Sequence, residues 1–500
     1  MNVSDRLTFL FDTNIFIPAE PTSPAGVEPL TAAIVELERS IQEHGDAIVV
    51  HPEMYRDIRR DADEERRRLR LILANKYARL RRPPPIPLSM LFEFGAVPED
   101  SHDWIDHHLL GSVVENAVDF LVTEDVHLHR KAERMRVSQR VLRVSDALSL
   151  LDDLYRPEVV PPPAVTPVGG GQLDLADPIF DSLRVDYQGF DGWFRTRVQA
   201  ENRDSWVVEG LAGGYAGVCI VKEESPAESD LFGHTLKVCT FKVADEHGGF
   251  RYGESLLKVL FDYAEANGHE YLYLTVKPEK ERLIDWLLEF GFEKAGPTTT
   301  GDELRLVKRR HFTEVDLAEH DPYEFHVKFG PPAAKWYGVP AFIVPIVPRF
   351  QERLFPEAPS QQTSLFSGHE AHGNGLRKAY LCRSTIRSIR RGDLLYFYRS
   401  QQNQGVTAVG VVEDVQAMSD PKAIVTFVGK RTLYSYEEVV AMADDGGREV
   451  LAIDFRQAKV LIPPIAAEQL RQHGVLVAPP QHTQSIPEGG AEWIAKQVFP

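Results

Sequence analysis

The chain has 500 residues, of which 43% are hydrophobic, 26% charged and 10% aromatic. At roughly 100–200 residues per domain, that length suits two to four soluble domains, and the apolar content excludes wholesale disorder. The formal net charge of −18 excludes nucleic-acid binding by bulk attraction, so any such contact must come from local basic patches.

No apolar run approaches the roughly 20 residues of a membrane helix. The opening MNVSDRLTFLFDTN has no basic stretch followed by a long apolar one, so it is not a secretory signal. Cys219, Cys239 and Cys382 are widely spaced and form no CxxC pair. That pattern argues against a disulfide framework or a thiolate zinc site and fits a reducing cytoplasm.

The first block alternates short strands with helices. LTFLF (7–11), AIVVH (47–51) and VDFLVT (118–123) are strand candidates. PLTAAIVELERSIQEHG and IDHHLLGSVVENA are helix candidates between them. The alternation predicts an α/β domain with a parallel sheet over 1–155. RPEVVPPPAVTPVGGGQLDLAD (156–177) is rich in proline, then glycine, and is read as a linker. The middle block, 178–312, offers the strands WVVEGLAGGYAGVCIVKE and HTLKVCTFKVA. A glycine-rich turn, a helix, YLYLTV, a second helix and ELRLVKR follow, an α+β order. PEAPSQQTSLFSGHEAHGNG (356–375) lacks periodicity and is read as a loop or linker. The last block, 325–500, holds AFIVPIV, GDLLYFYRS, GVTAVGVVEDV, AIVTFVGK and REVLAIDF, all read as strands of a mostly β domain. The expected architecture is therefore multidomain.

Asp12 directly follows the first strand, where ligands bind in a parallel sheet. Asp57 follows the second strand, Asp106 begins the helix before the third, and Asp125 follows the third. Carboxylates converging at one sheet edge repel and call for a cation, and hard oxygen ligands select Mg²⁺ or Mn²⁺. Such a site activates water for phosphodiester displacement. Each Asp alone also suits a helix cap or turn.

These segments resemble the PIN domain, a family of metal-dependent nucleases, over about 7–145. FLFDTNIF is similar to the family's opening strand, with Asp12 and Asn14. YRDIRR places Asp57 at the second acidic position, where the family usually has Glu, and Glu53 one turn earlier is the alternate. Asp106 and Asp125, 19 apart, match the third acid and the Asp of a TxD turn, with Thr123 beside it and Asp103 a rival third acid. The resemblance implies cleavage of RNA, a toxin-type role in a toxin–antitoxin or defence system, and an antitoxin or inhibitor protein as partner.

Residues 56–82 carry 11 Lys/Arg against 5 acids. Arg66, Arg67, Arg68, Arg70, Arg79, Arg81 and Arg82 are candidates to follow a phosphate backbone. The alternatives are a solvated helix face with ion pairs or a site for an acidic partner. His127, His129 and Arg130 suit either phosphate contact or a solvated helix start.

The middle block resembles the GNAT acetyltransferase fold over about 176–310. In that family a turn like EHGGFRYG cradles the pyrophosphate of acetyl-coenzyme A at a helix start. That implies Gly248, Gly249, Arg251 and Gly253 as cofactor-binding residues. Gly253 matches the last glycine of the motif, but Arg251 stands at an earlier glycine position and Gly248 at the basic one. The family's general-acid tyrosine is replaced by Leu287, four before Gly291, and Glu246 is a possible base. Either an acetyltransferase or a scaffold without turnover fits this pattern.

In 376–415, GDLLYFYRS and VGVVEDV resemble the PUA-like superfamily, especially its EVE and ASCH types, though no GxKxxExR motif is evident. The implied function is RNA or modified-base binding. Arg383 and Arg387 would meet phosphate, and Tyr396 and Tyr398 would stack on bases. Alternating aromatics in a strand also suit a core face.

Overall fold

The computed structural model describes residues 6–22, 28–99, 101–155, 165–210, 213–244, 252–297, 303–356, 375–401, 403–431, 433–444 and 449–499. They fall into two compact units. The first comprises Met1–Pro157 with Met418–Lys430 and Tyr434–Glu449. The second comprises Glu158–Ala417, Arg431–Leu433 and Val450–Pro500. No described helix is long and apolar enough to cross a membrane.

In the first unit, β1 (Thr8–Phe11), β2 (Ala47–Val50), β3 (Ala78–Arg79), β4 (Phe120–Val122) and β5 (Val141–Leu142) form a sheet in the order β3-β2-β1-β4-β5. Every neighbouring pair is parallel. β1 and β4 are almost wholly buried because helices cover both faces, so they read as continuous apolar runs. Leu10, Leu121, Leu109, Leu110 and Val113 pack one face of this core. β3 and β5 have only two residues each, too few for any periodicity to announce them.

AIVTFVGK, expected as a strand, is instead the helix Pro421–Val428. Asp420 caps it by accepting the Lys422 amide at 3.1 Å, and Pro421 starts it without needing an N–H partner. The β-branched residues that suggested a strand, Ile424, Val425, Thr426 and Val428, are all buried. It belongs to the first unit, where Lys422 lies 3.9 Å from Asp119 and donates to the Arg6 carbonyl.

The second unit holds two sheets. One runs β11-β12-β10-β9-β8-β7-β6, with β6 (Val165–Gly169), β7 (Asp204–Glu209), β8 (Tyr215–Glu224), β9 (Thr235–Val243), β10 (Tyr271–Val276), β11 (Glu293–Pro297) and β12 (Leu304–Arg309). β6 lies within the stretch expected to be a linker, whose residues 156–164 are outside the described residues. Gly170 lets this segment pass close to the chain, since a Cβ there would sit 2.5 Å from the Val198 carbonyl oxygen. Of the stretch 356–375, residues 357–374 are outside the described residues.

The other sheet runs β14-β17-β16-β15-β13-β18, with β13 (Ala341–Ile346), β14 (Arg377–Cys382), β15 (Leu394–Arg399), β16 (Gly405–Met418), β17 (Val450–Ala466) and β18 (Gln484–Ser485). Side chains alternate between two cores. Tyr396 and Tyr398 enter one, Leu395 and Phe397 the other.

Gly291 is held at φ +80°, and a Cβ there would lie 2.0 Å from the Val327 carbonyl oxygen. Gly291→Ala should therefore destabilise the second unit by at least about 1 kcal/mol, the least expected for Ala at positive φ. Urea unfolding followed by tryptophan fluorescence checks this; an unchanged midpoint would refute it.

Candidate functional site

The strand order reverses direction at β1, whose neighbours are β2 on one side and β4 on the other. A crevice at the carboxyl ends of β1 and β4 is where a parallel sheet of this kind binds ligands. Asp12 ends β1 there, and Thr123, Glu124 and Asp125 follow β4.

Asp12 caps the helix Thr13–Ala19 through the Thr13 amide, which donates to Oδ1 at 2.6 Å. Its other oxygen accepts from the Thr123 hydroxyl at 2.7 Å and the Asn14 side-chain amide at 2.7 Å. Asn14 also donates to Thr123 Oγ1 at 3.0 Å and accepts the Glu124 amide at 3.2 Å. The Asp125 amide donates to the same Thr123 oxygen at 3.1 Å. The ends of the two strands are thus tied by one hydrogen-bonded cluster.

All donors to Asp12 are neutral, and the carboxylate is 7% exposed. Burial pushes its pKa up to about 7, against the Thr123 and Thr13 hydrogen bonds, with Asp106 and Asp125 raising it further. Asp106, on the helix His102–Val114, is also raised, first by burial and then by Asp125 and Asp103, against the pull of Lys131. Asp125 caps the helix Val126–Arg134 by accepting the His127 amide at 2.7 Å. Asp12, Asp106 and Asp125 therefore share one field.

Lys131 was not anticipated. Its ammonium lies 2.6 Å from Asp103 and 2.9 Å from Asp106. Burial works against its charge, but the two carboxylates outweigh it and raise its pKa. The i,i+5 step from Val126 to Lys131 carries no local signal; only the tertiary approach of two helices brings Lys131 to Asp106.

Asp57 lies on the helix Met54–Arg59 after β2. It pairs with Arg60 at 3.4 Å and His102 at 3.5 Å. The alternate, Glu53, pairs with Arg56 at 3.0 Å, and its charge opposes the lowering of His108, which burial chiefly causes. His108 lies on the same helix as Asp106. His129 faces inward, its Nε2 3.0 Å from the Thr123 carbonyl oxygen, while His127 remains exposed.

Three of the arginines expected to meet phosphate, Arg66, Arg67 and Arg70, gather on Asp61. Arg66 and Arg70 approach its carboxylate at 2.5 and 2.6 Å, and Arg67 donates to its carbonyl at 2.6 Å. These partners, the Arg66 hydrogen bond first, hold Asp61 well below the usual carboxylate range. The Arg66 and Arg70 guanidiniums thus share a single carboxylate.

In the second unit, Gly248, Gly249 and Arg251 lie outside the described residues. Gly253 sits in the first turn of the helix Tyr252–Ala266, where a Cβ would touch the Trp286 ring at 3.4 Å. Leu287 is buried in the core. The stacking role expected of Tyr396 and Tyr398 is corrected: both side chains are fully buried, and an enclosed ring offers no face to a base. Arg383 and Arg387 are exposed, Arg387 donating to the Ser384 and Ile386 carbonyls at 2.8 and 3.0 Å.

No family model matches the sequence, and no curated protein matches it. Among solved structures, the chain is similar to an ASCH protein from Zymomonas mobilis at 13% identity and a TM-score of 0.25, over 31% of this chain and 94% of that one. It is similar to a putative acyl-CoA N-acyltransferase from Klebsiella pneumoniae at 15% identity and a TM-score of 0.22, over 29% and 97%. An IAA acetyltransferase from Bacillus cereus matches at 17% identity and a TM-score of 0.23, over 29% and 96%. Each likeness covers less than a third of this chain.

The Asp12 environment has a measurable consequence. Its folded-state pKa, about 7, lies above the unfolded value near 3.9. Between those values the folded chain keeps a proton that the unfolded chain has lost. Without divalent cations, stability of the first unit should therefore fall as pH rises from about 4 to 7, by a few kcal/mol at most. Asp12→Asn should flatten that fall. Thermal denaturation in chelator at several pH values checks this, and equal slopes in the two proteins would contradict it.

Proposed function

We propose that the first unit is a metal-dependent ribonuclease of the PIN type. One observation carries the reading. A buried Asp12 with a pKa raised to about 7 stands at the switch point of a parallel sheet and shares its field with Asp106 and Asp125. A raised carboxylate with only neutral donors marks a place where positive charge is wanted. The available donors are carboxylate and hydroxyl oxygens, which suit Mg²⁺ or Mn²⁺.

Asp12, Asp106 and Asp125 would hold the cation, directly or through water. Bound there, it would supply a nucleophilic water at neutral pH and neutralise charge on the phosphodiester. Thr123 and Asn14 orient the Asp12 carboxylate by fixing the same oxygen. Lys131, 2.9 Å from Asp106, opposes the rise that burial causes in its pKa and would place a cation beside the bound phosphodiester. Hydrolysis forms a bond from water oxygen to phosphorus and breaks the bond to O3′, leaving 5′-phosphate and 3′-hydroxyl ends. Asp57 has a supporting place, bridging Arg60 and His102.

A second reading concerns the second unit and has its own observation. β9 and β10 run parallel but pair only through Thr235–Lys237 and Tyr271–Tyr273, although β9 continues to Val243 and β10 to Val276. Strands that part in this way open a cleft between their carboxyl ends, beside the start of the helix Tyr252–Ala266. A helix start suits a pyrophosphate such as that of acetyl-coenzyme A. Leu287 provides no general acid, so binding without acetyl transfer is the form of this reading the residues favour.

Total RNA incubated with Mn²⁺ or Mg²⁺ tests the first reading. Wild type should cleave, and Asp12→Asn and Asp125→Asn should lose on the order of 10²-fold or more. Asp57→Asn should lose less, about tenfold, since its carboxylate is engaged by Arg60 and His102. Full activity in Asp12→Asn would sink the nuclease. Acetyl-coenzyme A binding without any metal-dependent cleavage would favour the second reading.

A further inference from the structure

The sheet of the second unit carries a group of side chains that neither reading uses. β8 runs antiparallel to β9, and β9 parallel to β10, so the end of β8 and the starts of β9 and β10 lie together. Glu223 is the penultimate residue of β8, His234 immediately precedes β9, and His269 precedes β10 by two residues. Gly268, at φ +68°, follows the helix Tyr252–Ala266 and leads the chain into the buried His269.

A carboxylate oxygen and one nitrogen from each ring lie within 4.8 Å of one another. His269 Nε2 is 3.7 Å from one Glu223 oxygen, and His234 Nε2 is 3.9 Å from the other. Two ligands of a tetrahedral Zn²⁺, each about 2.0–2.1 Å from the ion, lie roughly 3.3 Å apart. The two Glu223–histidine distances exceed that by about half an ångström, and closing the group around an ion requires the exposed His234 and Glu223 side chains to re-orient toward His269.

The second observation is His269 itself. Its side chain is fully enclosed, yet neither ring nitrogen has a hydrogen-bond partner. Buried polar atoms without partners are costly and call for an explanation. The nearby Ala264 carbonyl already accepts the His269 amide at 2.9 Å.

We propose that Glu223, His234 and His269 form a Zn²⁺ site with one position open to solvent. Two imidazoles and a carboxylate are a zinc donor set, and they differ from the all-oxygen set of the first unit. His269 forms the floor. Glu223 and His234 are exposed, so the fourth position is left to water or to a small ligand. His234 now stacks on His269 with centroids 4.2 Å apart. Because a metal lies in the plane of each ligating ring, His234 must rotate out of that stack on binding, and its exposure permits this.

The test uses the untagged full chain carrying Asp12→Asn and Asp125→Asn, which removes the carboxylate site of the first unit. After equilibration with Zn²⁺ and desalting, one equivalent should remain bound. His234→Ala and Glu223→Gln change exposed side chains and should each weaken binding about tenfold or more. His269→Ala should abolish it. Circular dichroism of the exposed-site variants should match the parent, and Co²⁺ should give the visible absorption of a four-coordinate ion. Absence of bound Zn²⁺ in the parent, or equal retention by the folded His234→Ala and Glu223→Gln variants, would overturn the proposal.

Discussion

The first unit is organised around a carboxylate taken out of water. Asp12 has lost most of its hydration and receives three hydrogen bonds from neutral groups in return. That compensation is partial, which is why its proton affinity rises. Thr123 can bond Asp12 only if β1 and β4 are neighbours in register, Phe11 beside Val122. The sheet order, the short loops after both strands and the hydrogen-bonded cluster are therefore one arrangement. A protein that needed only stability would have little reason to place Asp106 and Asp125 where they raise Asp12 further.

The second unit handles buried charge in the opposite way, by pairing it. Glu413 is held well below the usual carboxylate range by Arg431, Arg456 and Arg377, which together outweigh its burial. Arg431 also meets Asp454 at 2.7 Å, and Arg377 meets Glu289. Arg456 donates to the Tyr323 hydroxyl at 3.0 Å and the Glu289 carbonyl at 3.0 Å. Arg377, Glu413, Asp454 and Arg456 stand on β14, β16 and β17 of one sheet, and the network ties that sheet to Glu289 at the end of the helix Glu281–Leu288 and to Tyr323 on the helix Pro322–Phe329. Buried pairs of this kind add little net stability, but removing one member leaves an uncompensated charge. Arg377 and its neighbour Lys378 are thus structural: Lys378 is buried and donates to the Leu354 carbonyl at 2.7 Å.

Strands with strong apolar runs were legible almost to the residue, YLYLTV and AFIVPIV among them. Two-residue strands were not, because no period can be seen in two positions. AIVTFVGK misled because β-branched residues suit a strand, whereas its Asp-Pro start and its packing against the first unit make a helix. The aromatic stripe of β15 was open to two readings in the sequence, and burial on both faces of the sheet chose the core.

At the candidate site, the sequence by itself determined that acidic residues follow apolar strands, which is a local pattern of residue types. It also placed Thr123 two residues before Asp125. Only the tertiary structure decided which acids act together. Asp106 and Asp125 reach Asp12 through space, Asp57 turns to Arg60 and His102, and Lys131 arrives from a neighbouring helix. The same holds for Glu223, His234 and His269, separated in sequence and joined by strand pairing. Electrostatic coupling depends on distance and burial, and neither is encoded in spacing along the chain.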